Sequence, residues 1–539
     1  MRNAAVFTLF IALLATTAGN AQSVVSNDVV IDRALENGKQ ASEGFSRSLR
    51  FVNGWLKHTD PSTGLIPTNL DKAKDIWEPH NSAADNWAFM VLTTYLLDKD
   101  LYNGKMSEML NAERKLTSRI KSLPDTYSFS KKGFNTEKPD MNWVIFGTAE
   151  YMKDGLIPLC EYIGNSPWKD RMMEMLNDLP AYYSLLKDID QLGNYKVASE
   201  EVNGDMLQTL TRTYWMTGQK KYLDRAIVIG DYYMLGERDL SKLKYLRLRD
   251  HGCEIIGGLS ELYVTLSFVK PEKKKLYQGP LHRLLDRVLE VGRNPDGLFY
   301  DGVNAETGEV IDKGISDNWG YVYDAFYAVY LIDHTEKYRN TFLSMLKNLN
   351  EKYRNFAWEG KSHDGYADAI EGGINLYNRE PDADLKEWIE SEMQVMFKMQ
   401  QEDGIIGGWH GDGNFARTAI MYSLWKTQGA HLQPWRKDVI LGAEKSGSEI
   451  CFVLRSENNW EGKILFDAPR HQTNLHLPID YPRINQFPEW FTAKKGETYS
   501  ITSSDTKISG KYRGEELLGG IPVKLKAGEK LIISVTGKK

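Results

Sequence analysis

Residues 319–354 read WGYVYDAFYAVYLIDHTEKYRNTFLSMLKNLNEKYR. The first part, 319–332, is apolar and aromatic with Gly and Ala between the larger side chains, the composition of a helix packed on both sides. Asp333-His334-Thr335-Glu336 is a tight turn. The second part, 337–354, is rich in Lys, Arg and Glu, the composition of a helix with one wet face. The stretch is therefore a helical hairpin with one buried and one half-exposed arm.

The pattern repeats along the chain. Helices of the charged kind are predicted at roughly 29–57, 103–121, 168–188, 220–235, 276–292, 337–354 and 383–401, and helices of the apolar kind at roughly 85–98, 143–163, 202–217, 254–269, 319–332, 366–377 and 413–427. Within them apolar side chains recur at three- and four-residue spacing, as in Trp87, Met90, Val91, Tyr95 and Leu96, or Leu207, Leu210, Thr211, Tyr214 and Trp215. Turns from the apolar kind to the charged kind are tight, as at Gly164-Asn165-Ser166-Pro167 and Thr217-Gly218-Gln219. Connections in the other direction are long, at 58–84, 122–142, 189–201, 293–318 and 402–412. Several of these open on a turn-forming Asp/Gly pair followed by a hydrophobic step, as in Asp296-Gly297-Leu298 and Asp403-Gly404-Ile405. Alternating buried and half-exposed helices, with all long loops on one face, are what a closed ring requires. The expectation is an (α/α)6-7 toroid over 22–435, with function on the long-loop face.

After Trp435 the texture changes. Glu449–Arg455, Gly462–Phe466, Thr498–Thr502 and Leu531–Val535 read as strands between turns, so 436–539 is predicted to be an antiparallel β-sandwich domain. The fold class is thus mainly α, with a C-terminal β domain. The 539 residues are 42% hydrophobic and 26% charged, enough for a large core and far from a disordered composition. A net charge of -6 argues against nucleic acid as partner, because phosphate binding needs a basic surface. At the N-terminus Arg2 precedes an apolar run from about Ala4 to Ala15 and small residues up to Ala21, which reads as a signal peptide over 1–21 and predicts an exported chain, periplasmic in a Gram-negative bacterium, without a membrane anchor. Cys160, Cys253 and Cys451 cannot all pair with one another; no structural disulfide is expected, and Cys160 and Cys451 read as buried thiols.

An exported toroid followed by a β domain resembles the six-hairpin glycosidase superfamily and the toroidal polysaccharide lyases. The resemblance rests on the architecture, on the Asp-Gly loop openings, and on the clusters Arg249-Asp250-His251-Gly252-Cys253-Glu254 and Asp364-Gly365-Tyr366-Ala367-Asp368-Ala369-Ile370-Glu371-Gly372-Gly373. The second, continued by Asn378-Arg379-Glu380-Pro381, is similar to exported proteins of polysaccharide-degrading bacteria, and the nearest named group is glycoside hydrolase family 154, whose founding activity is β-glucuronidase. The resemblance implies an oligosaccharide or polysaccharide substrate and an inverting hydrolysis. It supplies no catalytic residues.

The residues themselves suggest where chemistry sits. Junctions between long loops and apolar helices are polar throughout: His80 to Trp87, Asp140 to Trp143, Glu200 to Asp205, Arg249 to Glu254, Asp317 to Tyr321, His363 to Glu371, and Trp409 to Asn414. Each acid could simply cap its helix. Seven such junctions on one face, with aromatics between them, are what a sugar site needs. Glycoside hydrolysis takes two carboxyl groups. Glu254, Asp364 and Glu371 are the candidates, with His251 within reach of Glu254. Asp364 and Glu371, seven apart, share a helix face, and Asp368 lies between them. Candidate substrate contacts are Arg249, Asp250, Asp85, Asn86, Asp317, Trp319, Tyr321, His363, Trp409, His410 and Arg417. Arg249 and then Arg417 are the expected cations for a uronate. Trp77, Trp87, Trp143, Trp319, Trp358 and Trp409 are expected to rim the site.

No cofactor is expected. His251, Cys253 and Glu254 lack a second ligand cluster with zinc spacing, which leaves at most a structural Ca²⁺ in an Asp-rich loop. No phosphate-binding glycine loop or nucleophile elbow is present. The leading expectation is a hydrolase that removes a uronic acid, best a β-glucuronic acid. The alternatives are a lyase, using His80 with Asn81, His251, Tyr321 or His363 for β-elimination, and a non-catalytic glycan-binding protein.

Overall fold

The computed structural model describes residues 18–182, 198–236, 238–407 and 413–537, with side chains from Asp28 on, except those of Ala198 and His251. The signal-peptide expectation falls mostly outside these residues, as do Trp409 and His410. Among the described residues no helix is long and apolar enough to cross a membrane.

The chain divides into two units, and the division is not a single cut at Trp435. One unit comprises Gly44–Trp425 with Asp467–Thr492, and the other Met1–Glu43, Lys426–Phe466 and Ala493–Lys539.

The first unit is a ring of helical hairpins. Among its described residues the inner arms are Pro79–Trp87 continued by Ala88–Leu97, then Met141–Ile163 in three joined segments, Ala198–Thr217, Glu254–Val269, Trp319–Asp333, His363–Arg379 and Asn414–Lys426, whose last residue falls to the other unit. Outer arms precede each, among them Pro271–Val291, Glu336–Lys352 and Ala383–Phe397. The two arms differ as their sequences require. Glu254–Val269 is buried on nearly every side, whereas Pro271–Val291 buries Tyr277, Leu281, Leu284, Leu285 and Val288, a single stripe at helical spacing. Neighbouring inner arms pack in chain order around the ring. The last arm meets the first: the Gly413 amide donates to the Asp85 carbonyl at 2.6 Å, and the Arg417 guanidinium lies 5.6 Å from the Phe89 ring. The ring closes on its outer side as well, where Arg47 donates to the Phe397 carbonyl at 2.6 Å.

The expected long loops lie between outer and inner arms and are tied by short sheets. Leu246–Arg247, Tyr300–Val303 and Val310–Ile315 form one, and Ile76–Trp77, Tyr127–Ser128 and Gly133–Phe134 another. These sheets deliver Arg249, Asp250 and Asp317 to the starts of their inner helices.

The second unit has a five-stranded sheet in the order Val439–Ser446, Glu449–Ser456, Lys530–Gly537, Thr498–Ser503, Gly510–Arg513, and a three-stranded sheet of Ile521–Leu525, Trp460–Leu465 and His431–Gln433. All these pairings are antiparallel. The run Ile450-Cys451-Phe452-Val453-Leu454 is buried on both faces. Cys451 and Val453 meet Ala34, Val30 and Leu35 of the long first helix, while Phe452 packs edge-on against Phe466 beside the smaller sheet. All three cysteines are buried free thiols.

Small residues let inner helices approach. A Cβ on Gly320 would stand 2.4 Å from the Gly372 Cα, and one on Gly372 would stand 2.6 Å from the Gly320 Cα. Gly320→Ala should therefore cost about 1–3 kcal/mol of stability through overpacking, read as a lowered urea midpoint. A midpoint equal to wild type would show that the two helices can part without penalty.

Candidate active site

A cavity of about 200 Å³ opens among the N-terminal parts of the inner helices. Eight carboxyl groups line it: Asp85, Glu150, Asp154, Asp250, Glu254, Glu359, Asp364 and Asp368. Lys153 and Arg417 are the lining cations among the described residues, and His80, Asn81, Asn318, Asn414, Tyr321, Ile484 and Asn485 complete the wall. Two π-helical turns, Pro79–Trp87 and Tyr151–Leu156, carry His80, Asn81, Asp85, Lys153 and Asp154. Such wide turns recur at functional sites.

One half of the cavity is built on Lys153, whose side chain is 1% exposed. Its Nζ lies 2.5 Å from Glu254 Oε1 and 2.7 Å from Asp154 Oδ1. Gln208 Nε2 donates to the other Glu254 oxygen at 2.5 Å. Both Glu254 oxygens thus face donors, the arrangement of a carboxylate. Burial pushes its pKa above the ordinary glutamate value, and Lys153 pulls it back only in part. Glu254 is an anion of raised basicity.

Arg417 organises the other half. It reaches Asp368 Oδ1 at 2.6 Å and Glu371 Oε2 at 2.9 Å, and donates to the side-chain oxygens of Asn414 and Asn485 at 2.9 Å each. Asn318 donates to the second Asp368 oxygen at 2.9 Å. Glu371 does not line the cavity. It is wholly buried beneath it, accepting from Tyr321 Oη at 2.6 Å and from the Asn485 amide at 2.6 Å. Burial lifts its pKa to about 7 against these donors and Arg417.

Arg249 and Glu359 pair at the mouth at 2.6 Å, and Arg247 pairs with Asp250 at 2.6 Å. Asp250 and Glu359 both sit on left-handed backbone, at φ 48° and 42°, a conformation that costs non-glycine residues energy and clusters at functional sites. Burial raises the Glu359 pKa, with the Asp250 and Asp368 charges adding to it and Ser362 and Arg249 opposing. The Ser362 hydroxyl touches the second Glu359 oxygen. A hydroxyl can donate to a carboxylate or accept from the acid, so Glu359 can hold a proton there without losing Arg249.

The structure brings Glu254, Asp364, Asp85, Asp250, Tyr321 and Arg417 to one cavity, as the sequence suggested. Asp364 accepts from Asn414 at 2.8 Å. Other candidates stand elsewhere. Asp317 is buried behind Arg249, its pKa driven well up by burial and by the Glu359 and Asp368 charges. Asn86 and His363 are buried off the lining. Trp319 packs edge-on against Trp388 at 5.6 Å in the core between inner and outer helices. Among the described residues the tryptophans do not rim the cavity: Trp77, Trp87, Trp319 and Trp358 are all buried. Trp143 is half-buried, set edge-on to His80 at 4.4 Å. The His251 side chain lies outside the described atoms. Each proposed uronate cation is already ion-paired, Arg249 with Glu359 and Arg417 with Asp368 and Glu371.

Sequence reasoning passed over Lys153, Asp154, Glu150, Glu359 and Asn485. The first three had a signal, since charges inside an otherwise apolar inner helix are costly unless used. Asn485 had none, because it lies far along the chain.

No protein-family model matches the chain, and no curated protein matches it. Among solved structures it is similar to an inactive variant of the α-1,6-mannanase GH76A of Salegentibacter sp. HEL1_6 in complex with α-1,6-mannotetrose (10% identity over 70% of this chain and 98% of that one, TM-score 0.38). It is also similar to cellobiose 2-epimerase from Bacillus thermoamylovorans B4167 (13%, 71% and 98%, 0.38) and to a glycoside hydrolase family 76 mannosidase from Bacteroides thetaiotaomicron VPI-5482 (13%, 71% and 98%, 0.38). At this distance they say nothing about the site.

Glu371 gives the site a pH signature. Its folded pKa of about 7 lies above the ordinary 4.5, so its contribution is full below 4.5 and is lost as pH rises through 7. Unfolding by urea between about pH 5 and pH 8 should show wild type losing of order 1–3 kcal/mol relative to Glu371→Gln. Parallel stability profiles for the two proteins would contradict the assignment.

Proposed function

We propose that the chain is an exported glycoside hydrolase that cleaves by acid–base catalysis between two carboxyl groups, with Glu254 as general base and Glu359 as general acid. The observation that carries this reading is the pair of unlike carboxyl environments in one cavity. Glu254 accepts only from donors, and its burial raises its basicity. Glu359 stands at the mouth, with its pKa raised by burial and like charges and a hydroxyl able to accept a hydrogen bond from its protonated form. Such a split in environment assigns acid and base roles. Glu254 would draw a proton from water as it attacks the anomeric carbon, while Glu359 gives a proton to the departing oxygen. Asp85 and Asp364 line the same cavity, where their carboxyl oxygens can hold sugar hydroxyls.

Removal of a β-glucuronic acid is the finer reading that the family 154 resemblance implies. It needs a cation free to meet the sugar carboxylate. Arg249, Arg417 and Lys153 are each held by carboxylates, and the eight lining acids repel a further anion. The lining favours a neutral sugar. β-Elimination fits less well again, since it needs a uronate, and Tyr321 is a poor base: its hydroxyl is committed to Glu371 and burial drives its pKa well above the ordinary value.

The test separates the two roles. Glu254→Gln should lower kcat by about 10²–10⁴-fold on every substrate. Glu359→Gln should do so on natural glycosides but retain most activity on p-nitrophenyl glycosides, whose leaving group needs no proton. Wild-type turnover by both variants would show that neither carboxyl is catalytic. Release of an unsaturated uronate by wild type would establish a lyase instead.

A further inference from the structure

The segment Asp467–Thr492 belongs with the helical ring although strands of the β unit flank it in sequence. Residues 481–487 are all buried. Arg483 pairs with Glu161 and lies 3.0 Å from Asp480, and Asp480 is 2.7 Å from Arg379. Glu161 and Arg379 lie in the last turns of two inner helices, so the segment is anchored at the end of the ring opposite the long loops. From there it reaches inward. The Ile484 carbonyl accepts from Arg212 at 3.4 Å, and Asn485 arrives at the cavity wall.

Asn485 is fixed from every side. Its backbone amide is held by Glu371, its Nδ2 donates to Asp154 at 2.7 Å, and its Oδ1 accepts from Arg417 at 2.9 Å. It thereby joins the Lys153–Glu254 half of the cavity to the Arg417–Asp368 half. Its φ of 59° is one that Asn tolerates better than most residues. Each amide atom keeps a second hydrogen-bonding position, one hydrogen on Nδ2 and one lone pair on Oδ1.

We propose that this segment floors the ring and makes the cavity an end-binding site for a single neutral saccharide unit, with Asn485 as the specificity-determining residue that reads that unit from below. The inference rests on the hydrolase reading and adds to it the position of the cleaved bond. A glycan cannot run through a ring whose far end is filled. The cavity, at about 200 Å³, falls below the ~300 Å³ at which pockets for drug-sized ligands begin, which suits one sugar ring and not several. The substrate therefore enters by its terminus, and cleavage releases a monosaccharide.

Two measurements test this. Purified wild type is incubated with short neutral oligosaccharides carrying a fluorescent label at the reducing end, and early products are resolved by length. Separately, Glu254→Gln is titrated calorimetrically with free neutral hexoses, pentoses and deoxyhexoses, with and without Asn485→Gly. Glycine accepts the left-handed backbone, so this second change removes the amide without backbone strain; Arg417 and Asp154 each lose one partner, and a melting transition that stays cooperative shows that the ring still folds. The expected result is shortening of the labelled chain by one unit at a time, binding of at least one monosaccharide by Glu254→Gln, and about tenfold weaker binding when Asn485→Gly is added. Early products longer than one unit, or binding that Asn485→Gly leaves unchanged, would overturn the proposal. Monosaccharide binding that depends on Asn485, without cleavage by wild type, would sink the hydrolase reading and leave the end-binding site standing. Neither binding nor cleavage overturns both.

Discussion

Arg417 is a guanidinium buried at the centre of a helical ring, and the cavity is arranged so that its charge can be carried there. Taking such an ion out of water costs several kcal/mol unless partners replace the lost hydration. Those partners come from three separate parts of the chain: Asn414 from its own helix, Asp368 and Glu371 from the inner helix before it, and Asn485 from the inserted segment. Tyr321 and Asn318, from a further inner helix and its cap, hold Glu371 and Asp368 in turn. A constraint at one side chain therefore fixes the mutual positions of three inner helices and one insertion. The Gly320–Gly372 contact is the apolar counterpart of this constraint, since it sets how near two of those helices come.

The helical rods were legible because two signals agreed. Apolar spacing gave each rod, and the contrast between helices such as Trp319–Asp333 and Glu336–Lys352 told inner from outer. The run Ile450 to Leu454 announced a strand, and the structure covers it on both faces, with a helix and a sheet. The site was legible at the helix starts, where Asp85, Asp250, Glu254, Asp364 and Arg417 follow loops. Inside helices the signal was incomplete: Lys153 and Asp154 are charges midway along an apolar arm, but only the ring's closure shows that this level faces the cavity. The tryptophans misled for a related reason. Trp319 opens an inner helix, but an inner helix has two faces, and sequence alone does not say that this position turns outward to Trp388. Glu359 stands in a loop whose left-handed bend at a non-glycine residue has no sequence signature.

Acid crowding around so few cations has a consequence for the chemistry. Lys153 feels Asp154, Glu254 and Asp205 together, and the buried Glu201 is pushed far up by burial and then by Asp205. Glu359, the buried Asp317, Asp250 and Asp368 act on one another electrostatically. When carboxyls interact this strongly, protons leave the group and not single members. Neutralising one acid then raises the acidity of its neighbours, so a variant at Asp250 or Asp368 shifts the titration of the acids that remain. The same crowding opposes folding: Asp324, buried below the cavity near Glu371, has no hydrogen-bond partner among the described residues and has its pKa pushed well up by burial. Acids set close together at the ring's centre hold carboxyl pKa values above their ordinary range. They also hold the folded state below the stability that an apolar centre would give it.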